Sequence, residues 1–189
     1  YDKFGWERPM YMHLPPIMKD AQRKLSKRYG DANFSDFISK GFLPEAIINY
    51  IALLGWSPKG NDEKMTMDTL IELFDVDGIS KSSSIFDENK MRWLNGLYIK
   101  ELDFDTFKTL SKPFYDKSVI SNRYDYDKFS RLLQSRIETF ADIIEMVKFI
   151  DAFGEFDTSL FEHRKLKTDK QVAKIALAEA IKVVENLDD

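Results

Sequence analysis

The chain contains no cysteine, and this absence excludes several classes of protein. Without cysteine there is no disulfide framework and no thiolate metal site, a composition that suits a reducing cytoplasm. No apolar run approaches the roughly 20 residues that a helix needs to span a bilayer. Histidine is also scarce, with two residues in 189. We therefore expect a cytoplasmic protein with no membrane partner and no metal site.

The charged residues make up 32% of the chain and nearly balance, leaving a net charge of −4. That balance excludes a protein whose entire surface attracts nucleic acid. Two basic clusters nevertheless stand out: Lys19, Arg23, Lys24, Lys27 and Arg28 in one, and Arg164, Lys165, Lys167, Lys170 and Lys174 in the other. Separated basic patches suit a ligand that contacts the protein at distant points. For the second cluster, an ordinary solvated helix face is the alternative.

The hydrophobic pattern predicts a mostly α-helical fold. Three prolines within the first 18 residues exclude a continuous helix there, whereas helical periodicity begins at Asn33. Gly41 is placed to end one helix, Pro44 to occupy the first turn of the next, and Gly55 to end it. Further start signals are Thr66, Asp87 and the pair formed by Thr168 and Gln171, which has the spacing of a capping box.

The run Lys24-Leu25-Ser26-Lys27-Arg28 places three cations within five residues, and Gly30 follows, where the backbone can bend sharply. Such a segment can offer several charged donors to a polyphosphate while its backbone stays close to the ligand. Taken alone, the run is a basic loop of an unspecific kind.

Other segments make the run more specific. They read GWERP (5–9), YMHLPP (11–16), GFLPEAIINYIALLGWS (41–57), FDENKMRWLN (86–95) and, more loosely, LLQSRIETF (132–140). In this order they resemble the second half of bacterial-type glutamyl-tRNA synthetase, a class I aminoacyl-tRNA synthetase. The basic run is similar to the second signature of that class, Lys-Met-Ser-Lys-Ser. The resemblance is strong from Gly5 to about Leu102 and weaker beyond.

The resemblance implies three regions. Residues 1–18 would be a remnant of the catalytic nucleotide-binding domain. Residues 19–102 would carry the KMSKS-type loop and a helical stem-contact region. Residues 103–189 would form an all-helical anticodon-binding bundle that is incomplete at its C-terminal end.

The resemblance also implies the activity and its residues. The full-length enzyme activates glutamate with ATP and Mg²⁺ and transfers it to the 3′ end of tRNA(Glu) for protein biosynthesis. Lys24 and Lys27 would be catalytic, with Lys27 contacting ATP, and the whole run from Lys24 through Leu25 and Ser26 to Arg28 would bind the nucleotide. The His-x-Gly-His motif that the class also needs is missing from this sequence. We therefore expect the chain alone to be inactive and to hold no cofactor.

For the RNA partner, the expected contacts are Arg136, Lys165 and Lys167. Arg136 lies in a family-like segment from which its guanidinium would reach anticodon bases, with a structural ion pair as the alternative. Asn95, by contrast, is expected to satisfy buried backbone groups. The assembly expected is a monomer bound to tRNA(Glu).

Two other interpretations stay open at this point. A glutaminyl-tRNA synthetase shares the basic run, but its anticodon region is a β-barrel, and residues beyond 103 have helical period. A helical protein–protein interaction module with an incidental basic loop belongs to a different functional class. Binding of tRNA that weakens steeply with salt separates a tRNA-binding chain from such a module.

Overall fold

The computed structural model describes residues 1–26, 33–60, 62–121, 123–151 and 155–187. The chain divides into two compact units, Tyr1–Lys148 and Phe149–Asp189, which we call unit 1 and unit 2. The boundary expected between residues 102 and 103 lies inside unit 1 and stays a prediction.

Unit 1 is built from helices. They are α1 (Phe34–Ser39), α2 (Pro44–Gly55), α3 (Met67–Leu73), α4 (Glu88–Glu101), α5 (Phe104–Tyr115), α6 (Tyr126–Leu133) and α7 (Asp142–Met146). Short 3₁₀ turns lie at Asp2–Phe4 and Val76–Gly78, and a third, Lys148–Ile150, begins at the last residue of the unit. Extended pairing within the described ranges is limited to isolated bridges. The mostly helical fold predicted from the sequence is confirmed.

The local signals read from the sequence act as expected in unit 1. Pro44 is the first residue of α2, and the hydroxyl of Thr66 accepts a hydrogen bond from the Thr69 N–H at the start of α3. The carboxylate of Asp87 accepts from two N–H groups in the first turn of α4. These caps satisfy donors that have no partner inside the helix.

Gly41 ends α1 in a conformation that requires glycine. Its φ is +81°, and a Cβ built there would lie 2.6 Å from the Cβ of Phe140. The Gly41 carbonyl also accepts a hydrogen bond from the Phe140 N–H at 3.2 Å. The turn between α1 and α2 is therefore packed directly against the segment that precedes α7.

Buried side chains in unit 1 lie between Phe37 and Val147. One cluster lies on α1, α2, α4 and the turn between α1 and α2, and consists of Phe37, Phe42, Ile47, Tyr50, Leu54, Met91 and Leu94. Further buried apolar residues lie on α5 to α7 and the turns around them: Phe107, Tyr115, Ile120, Leu133, Ile137, Phe140, Ile143 and Val147. Removing this apolar surface from water is the main favourable term for folding.

Unit 2 contains two 3₁₀ turns, Thr158–Phe161 and Arg164–Leu166, and the helix α8 (Lys170–Glu185). The capping box predicted for Thr168 and Gln171 is wrong, because the cap is Asp169, whose carboxylate accepts from the N–H groups of Gln171 and Val172. Thr168 lies one residue before the cap, and its backbone is instead paired with that of His163. No described residue of unit 2 is buried.

Among the described residues, no helix combines the length and apolar character needed to cross a bilayer. Nor do those residues bring together three side chains of the types that bind a metal ion.

Candidate functional site

The first half of the basic run is anchored to the body of unit 1. Lys24 pairs with Met18 in an antiparallel bridge, and the Leu25 N–H donates to the Ile17 carbonyl at 3.0 Å. The carboxylate of Asp20 closes the turn between these segments by accepting from the N–H groups of residues 22 and 23, both at 2.9 Å. The backbone at Lys24 is therefore fixed by hydrogen bonds on a tight turn.

The side chains in this half of the run differ in their surroundings. Lys24 is exposed, and no acidic side chain in the described part of the chain pairs with it. Leu25 is half-buried and lines an apolar cavity of about 330 Å³, together with Ile17, Phe37, Phe86 and other residues. Ser26 is also half-buried. Lys27 and Arg28, the other predicted ATP contacts, lie outside the described residues.

Met18 joins this segment to α4. Its N–H donates to the Ser84 carbonyl and its carbonyl accepts from the Phe86 N–H, both at 2.8 Å. The next residue, Asp87, caps α4, and the Tyr50 hydroxyl accepts from the Asp87 N–H at 2.7 Å. Burial raises the pKa of Tyr50. The anchored part of the basic run is therefore connected through Met18 to the start of α4.

Asn95 on α4 connects two segments that are distant in the sequence. Its side-chain oxygen accepts from the Leu43 N–H at 2.8 Å, and its amide donates to the Glu138 carbonyl. The residue is fully buried. Both polar atoms of the side chain are therefore engaged by backbone groups, as expected from the sequence.

Arg92, one turn earlier on α4, forms ion pairs with the same region of the chain. Both oxygens of Asp142 accept from its guanidinium at 2.9 Å, and Glu138 accepts at 3.2 Å. Burial opposes ionisation of Asp142, but Arg92 and the N–H groups of residues 138 and 139 outweigh it and lower the pKa of that carboxyl. Sequence reasoning missed this pair, because its members are 50 residues apart and neither has a local signal.

Arg136 lies in the turn between α6 and α7. Its N–H donates to the Leu133 carbonyl at 2.8 Å, and its neighbour Ile137 is buried. The Arg136 side chain is exposed, and no described acidic residue forms an ion pair with it. The turn thus presents a guanidinium to solvent from a backbone that is fixed on both sides.

Lys165 and Lys167 lie in unit 2, in the turn closed by His163 and Thr168. The His163 N–H donates to the Thr168 carbonyl at 3.1 Å, and the Thr168 N–H donates to the His163 carbonyl at 3.3 Å. Inside the turn, the Nδ1 atom of His163 accepts from the Leu166 N–H at 3.3 Å. Both lysines are exposed. Three of the predicted contacts, Arg136, Lys165 and Lys167, are therefore exposed cations on hydrogen-bonded turns.

Comparisons with known protein families divide the chain in the same order as the sequence motifs. A model described as tRNA synthetases class I (E and Q), catalytic domain, matches residues 1–93. A model described as anticodon binding domain matches residues 106–189.

Curated relatives match the chain over most or all of its length. The glutamate–tRNA ligase of Clostridium acetobutylicum is 44% identical over 189 residues, which is 100% of this chain and 39% of that protein. The glutamate–tRNA ligase of Clostridium kluyveri is 49% identical over 169 residues, covering 89% of this chain and 34% of that protein. The chain therefore spans about two fifths of the length of these relatives.

Solved structures agree with the sequence matches. A glutamate tRNA ligase from Elizabethkingia meningosepticum, in complex with its amino acid, is 26% identical with a TM-score of 0.74, covering 100% of this chain and 41% of that one. The glutamate–tRNA synthetase of Elizabethkingia anophelis is 28% identical with a TM-score of 0.76, covering 100% and 40%. The chain belongs to the glutamate–tRNA ligase family of class I aminoacyl-tRNA synthetases.

Proposed function

We propose that this chain is the tRNA-binding part of a glutamate–tRNA ligase, which activates glutamate with ATP and transfers it to tRNA(Glu). The observation that carries the proposal is the 44% identity to such a ligase over all 189 residues. The helices at 104–146, where a β-barrel would mark a glutaminyl-tRNA synthetase, favour the same assignment. The monomeric state stays a prediction.

For the RNA, the proposal assigns base contact to Arg136. A guanidinium offers two parallel donors to a base edge, and each such pair is worth about 1–3 kcal/mol of discrimination. An exposed arginine on a fixed turn meets that requirement, because its backbone does not have to be ordered when RNA binds. The side chain also has no described carboxylate to compete with the base.

Binding of the 189-residue chain to tRNA tests this assignment. We expect tRNA(Glu) to bind more tightly than tRNA with an exchanged anticodon, with an affinity that falls as salt rises. Arg136→Lys keeps the charge but loses the planar pair of donors. It should weaken the binding of tRNA(Glu) about tenfold and leave the affinity for the tRNA with an exchanged anticodon unchanged. Equal binding of tRNA(Glu) and unrelated RNA would instead favour the protein–protein interaction module.

For ATP, we propose that Lys24 and Lys27 bind the triphosphate and that Mg²⁺ binds together with the nucleotide. Lys24 fits this role because it is exposed, lacks a described counter-ion and lies on an anchored backbone. Positioned cations stabilise charge that develops on the phosphoryl oxygens during adenylate formation. Leu25, Ser26 and Arg28 would shape the run around the nucleotide.

A full-length ligase that carries this segment tests the ATP contacts. Replacing Lys27 with alanine should lower kcat for glutamylation of tRNA by about 100-fold or more, the loss typical of one group that stabilises transition-state charge. The Kd for tRNA(Glu) should not change. A loss of tRNA affinity with unchanged kcat would place the run in RNA binding rather than catalysis. The 189-residue chain alone should catalyse no glutamate-dependent pyrophosphate exchange.

A further inference from the structure

Residues 134–138 form an arch that follows α6 and leads towards α7. Its inner residues Ser135 and Arg136 are exposed, whereas Gln134 and Glu138 at its two ends are half-buried. The arch therefore presents two neighbouring polar side chains to solvent, and one of them is the guanidinium proposed to read bases. The contacts at the two ends decide how firmly that guanidinium is held.

The first end of the arch is tied to the C-terminal end of α4. The side-chain amide of Gln134 donates to the Leu102 carbonyl at 2.7 Å and to the Ile99 carbonyl at 3.3 Å. Carbonyls at the C-terminal end of a helix lack their usual partners, and this amide supplies donors to them. An amide nitrogen carries two N–H groups, and both are used here, so Gln134 has no spare donor with which to read a base itself.

The second end of the arch is tied to the middle of the same helix. The Asn95 amide donates to the Glu138 carbonyl, and the Arg92 guanidinium pairs with the Glu138 carboxylate at 3.2 Å. Gly96 allows the arch to come close, because a Cβ built there would lie 3.4 Å from the Cα of Glu138. Both a hydrogen bond and an ion pair therefore hold this end on α4.

The positions of α4 that hold the two ends lie on one face of the helix. Positions 92, 95, 96 and 99 follow the spacing of three and four that brings residues to the same side. Asn95 donates from the helix to the arch, and Gln134 donates from the arch to the helix. Arg136 therefore lies on a short backbone segment that is fixed at both ends to a single element.

On these grounds we infer that Gln134 is a positioning residue for anticodon reading, because its hydrogen bonds to α4 hold the backbone from which Arg136 reaches a base. The inference rests on the base contact proposed for Arg136 and names the residue on which the specificity of that contact depends. Hydrogen bonds to a base edge need donor–acceptor distances of about 2.7–3.2 Å, so the donors must be held to within about 0.5 Å. Without the Gln134 amide, the arch would be held by its second end alone.

A purely structural role is the alternative, in which Gln134 only completes the end of α4. The two roles differ in what the loss of the amide changes. Loss of a structural contact lowers stability and leaves the relative affinities for different anticodons unchanged. Loss of a positioning contact lowers the preference for tRNA(Glu), because a tRNA with an exchanged anticodon does not use the base contact.

The variants Gln134→Met and Gln134→Asn test the inference in the 189-residue chain. Methionine has a similar length but no donor, and asparagine keeps the amide on a side chain too short to reach both carbonyls. The ratio of the affinities for tRNA(Glu) and for tRNA with an exchanged anticodon should fall about fivefold in both variants, less than in Arg136→Lys. The dependence of binding on salt should stay the same, because no phosphate contact is lost.

The double variant Gln134→Met, Arg136→Lys shows whether Gln134 acts through Arg136. We expect the same affinity ratio as in Arg136→Lys alone, because two residues that serve one contact do not have additive effects. An unchanged ratio in both Gln134 variants would overturn the inference. So would a fall caused by Gln134→Met that is equally large in the parent chain and in the Arg136→Lys background.

Thr66→Ala is the matched control for lost stability. It removes a side-chain hydrogen bond at the start of α3, so it should lower the melting temperature while leaving the contacts of the arch in place. Its affinity ratio should equal that of the parent chain. A fall as large as that of Gln134→Met would overturn the inference, because general destabilisation would then account for both.

Amide hydrogen exchange of the free chain gives a second measurement that needs no RNA. The Arg136 N–H donates to the Leu133 carbonyl at 2.8 Å within the arch. It should exchange faster in Gln134→Met than in the parent chain or in Thr66→Ala, because the arch opens more often when one end is released. Equal exchange in the parent chain and in Gln134→Met would show that the amide does not hold the arch, and would overturn the inference.

Failure of the inference can be told apart from failure of the proposed function. If Arg136→Lys leaves the affinity ratio unchanged, the base contact proposed for Arg136 fails, and the positioning role fails with it. If Arg136→Lys lowers the ratio but the two Gln134 variants keep it, the base contact stands and only the positioning role fails.

Discussion

Unit 1 and unit 2 both contain well-capped amphipathic helices, yet only unit 1 has described residues that are buried. In unit 1, Leu94 on α4 is fully buried, whereas in unit 2 the apolar Ile175 on α8 remains 65% exposed. The start of each helix is secured in the same way, by Asp87 in one and Asp169 in the other. Local signals are therefore sufficient to start a helix but do not by themselves create a core.

The difference lies in contacts between residues distant in sequence. In unit 1, α4 contacts the start of α2 and the segment before α7 through Asn95, and the first residue of α7 through Arg92. In unit 2, α8 contacts the short turn Thr158–Phe161, which precedes it by a few residues. A perturbation of α4 should therefore destabilise a whole unit, whereas a perturbation of α8 should have a local effect.

The largest expected effect is that of Asn95→Leu, which keeps the volume of the side chain but removes both hydrogen bonds. The Leu43 N–H and the Glu138 carbonyl would be left buried without partners, at roughly 2 kcal/mol each, so the free energy of unfolding should fall by about 4 kcal/mol. Urea unfolding measures the change. Asn89→Ala, at an exposed position in the first turn of α4, is the control and should change stability by less than about 0.5 kcal/mol.

Gly41→Ala should have the next largest effect, about 3 kcal/mol. The positive φ costs roughly 1–2 kcal/mol, and the contact of the new Cβ with Phe140 adds a further cost of similar size. Gly55→Ala is the control, because a Cβ at Gly55 meets nothing within 4 Å. Equal stability of the two variants would contradict the packing described for the turn after α1.

Asp142→Asn should cost about 2 kcal/mol at neutral pH, because it removes a charged acceptor of four hydrogen bonds at the start of α7. The cost should depend on pH. The pKa of Asp142 is lowered in the folded protein, so its contribution is present above the unfolded value of about 3.9 and is lost as pH falls through the folded value.

Stability curves at several pH values check this dependence. The parent chain and the Asp142→Asn variant should converge in acid as the carboxyl is protonated in both states. Glu145→Gln on the same helix, whose carboxylate pairs with Lys148 in an exposed position, should change stability by no more than about 1 kcal/mol at any pH. A constant difference across the pH range would exclude Asp142 as the titrating group.

The smallest expected effect is that of Asp169→Ala, at about 1 kcal/mol and confined to α8. The helical circular dichroism signal should fall without a shift in the main unfolding transition, which reports on unit 1. Asp169→Asn, which can still accept hydrogen bonds at the cap, should retain most of the signal. A shift of the main transition equal to that of Gly41→Ala would show that the two units unfold together.

The helix starts and ends that the sequence predicts correctly depend on interactions between residues close in the sequence. Gly41, Pro44, Thr66 and Asp87 act within a few residues of their positions, and each ends or starts a helix as expected. Thr168 shows how narrow such a signal is. It has the right residue type and spacing, but its backbone pairs with His163, and the cap falls one residue later.

Contacts between distant residues were beyond sequence reasoning. The role of Asn95 was predicted, but its partners lie 52 and 43 residues away, and nothing in the local sequence identifies them. The pairing of Arg92 with Asp142 was not predicted at all, since many arginines and aspartates are available and only the fold selects two. The same limit applies to Lys167, because a left-handed backbone at a lysine has no local sequence signal.

The position of Asn95 has a consequence for how this family can vary in length. Each residue of a helix turns by about 100° and rises 1.5 Å, so a one-residue insertion between Arg92 and Asn95 would rotate the amide away from both of its backbone partners. No local adjustment would restore the register without unwinding α4. Insertions and deletions among homologues should therefore avoid this stretch of α4 and fall in exposed connections such as residues 81–83, where a change in length leaves the register of α4 intact.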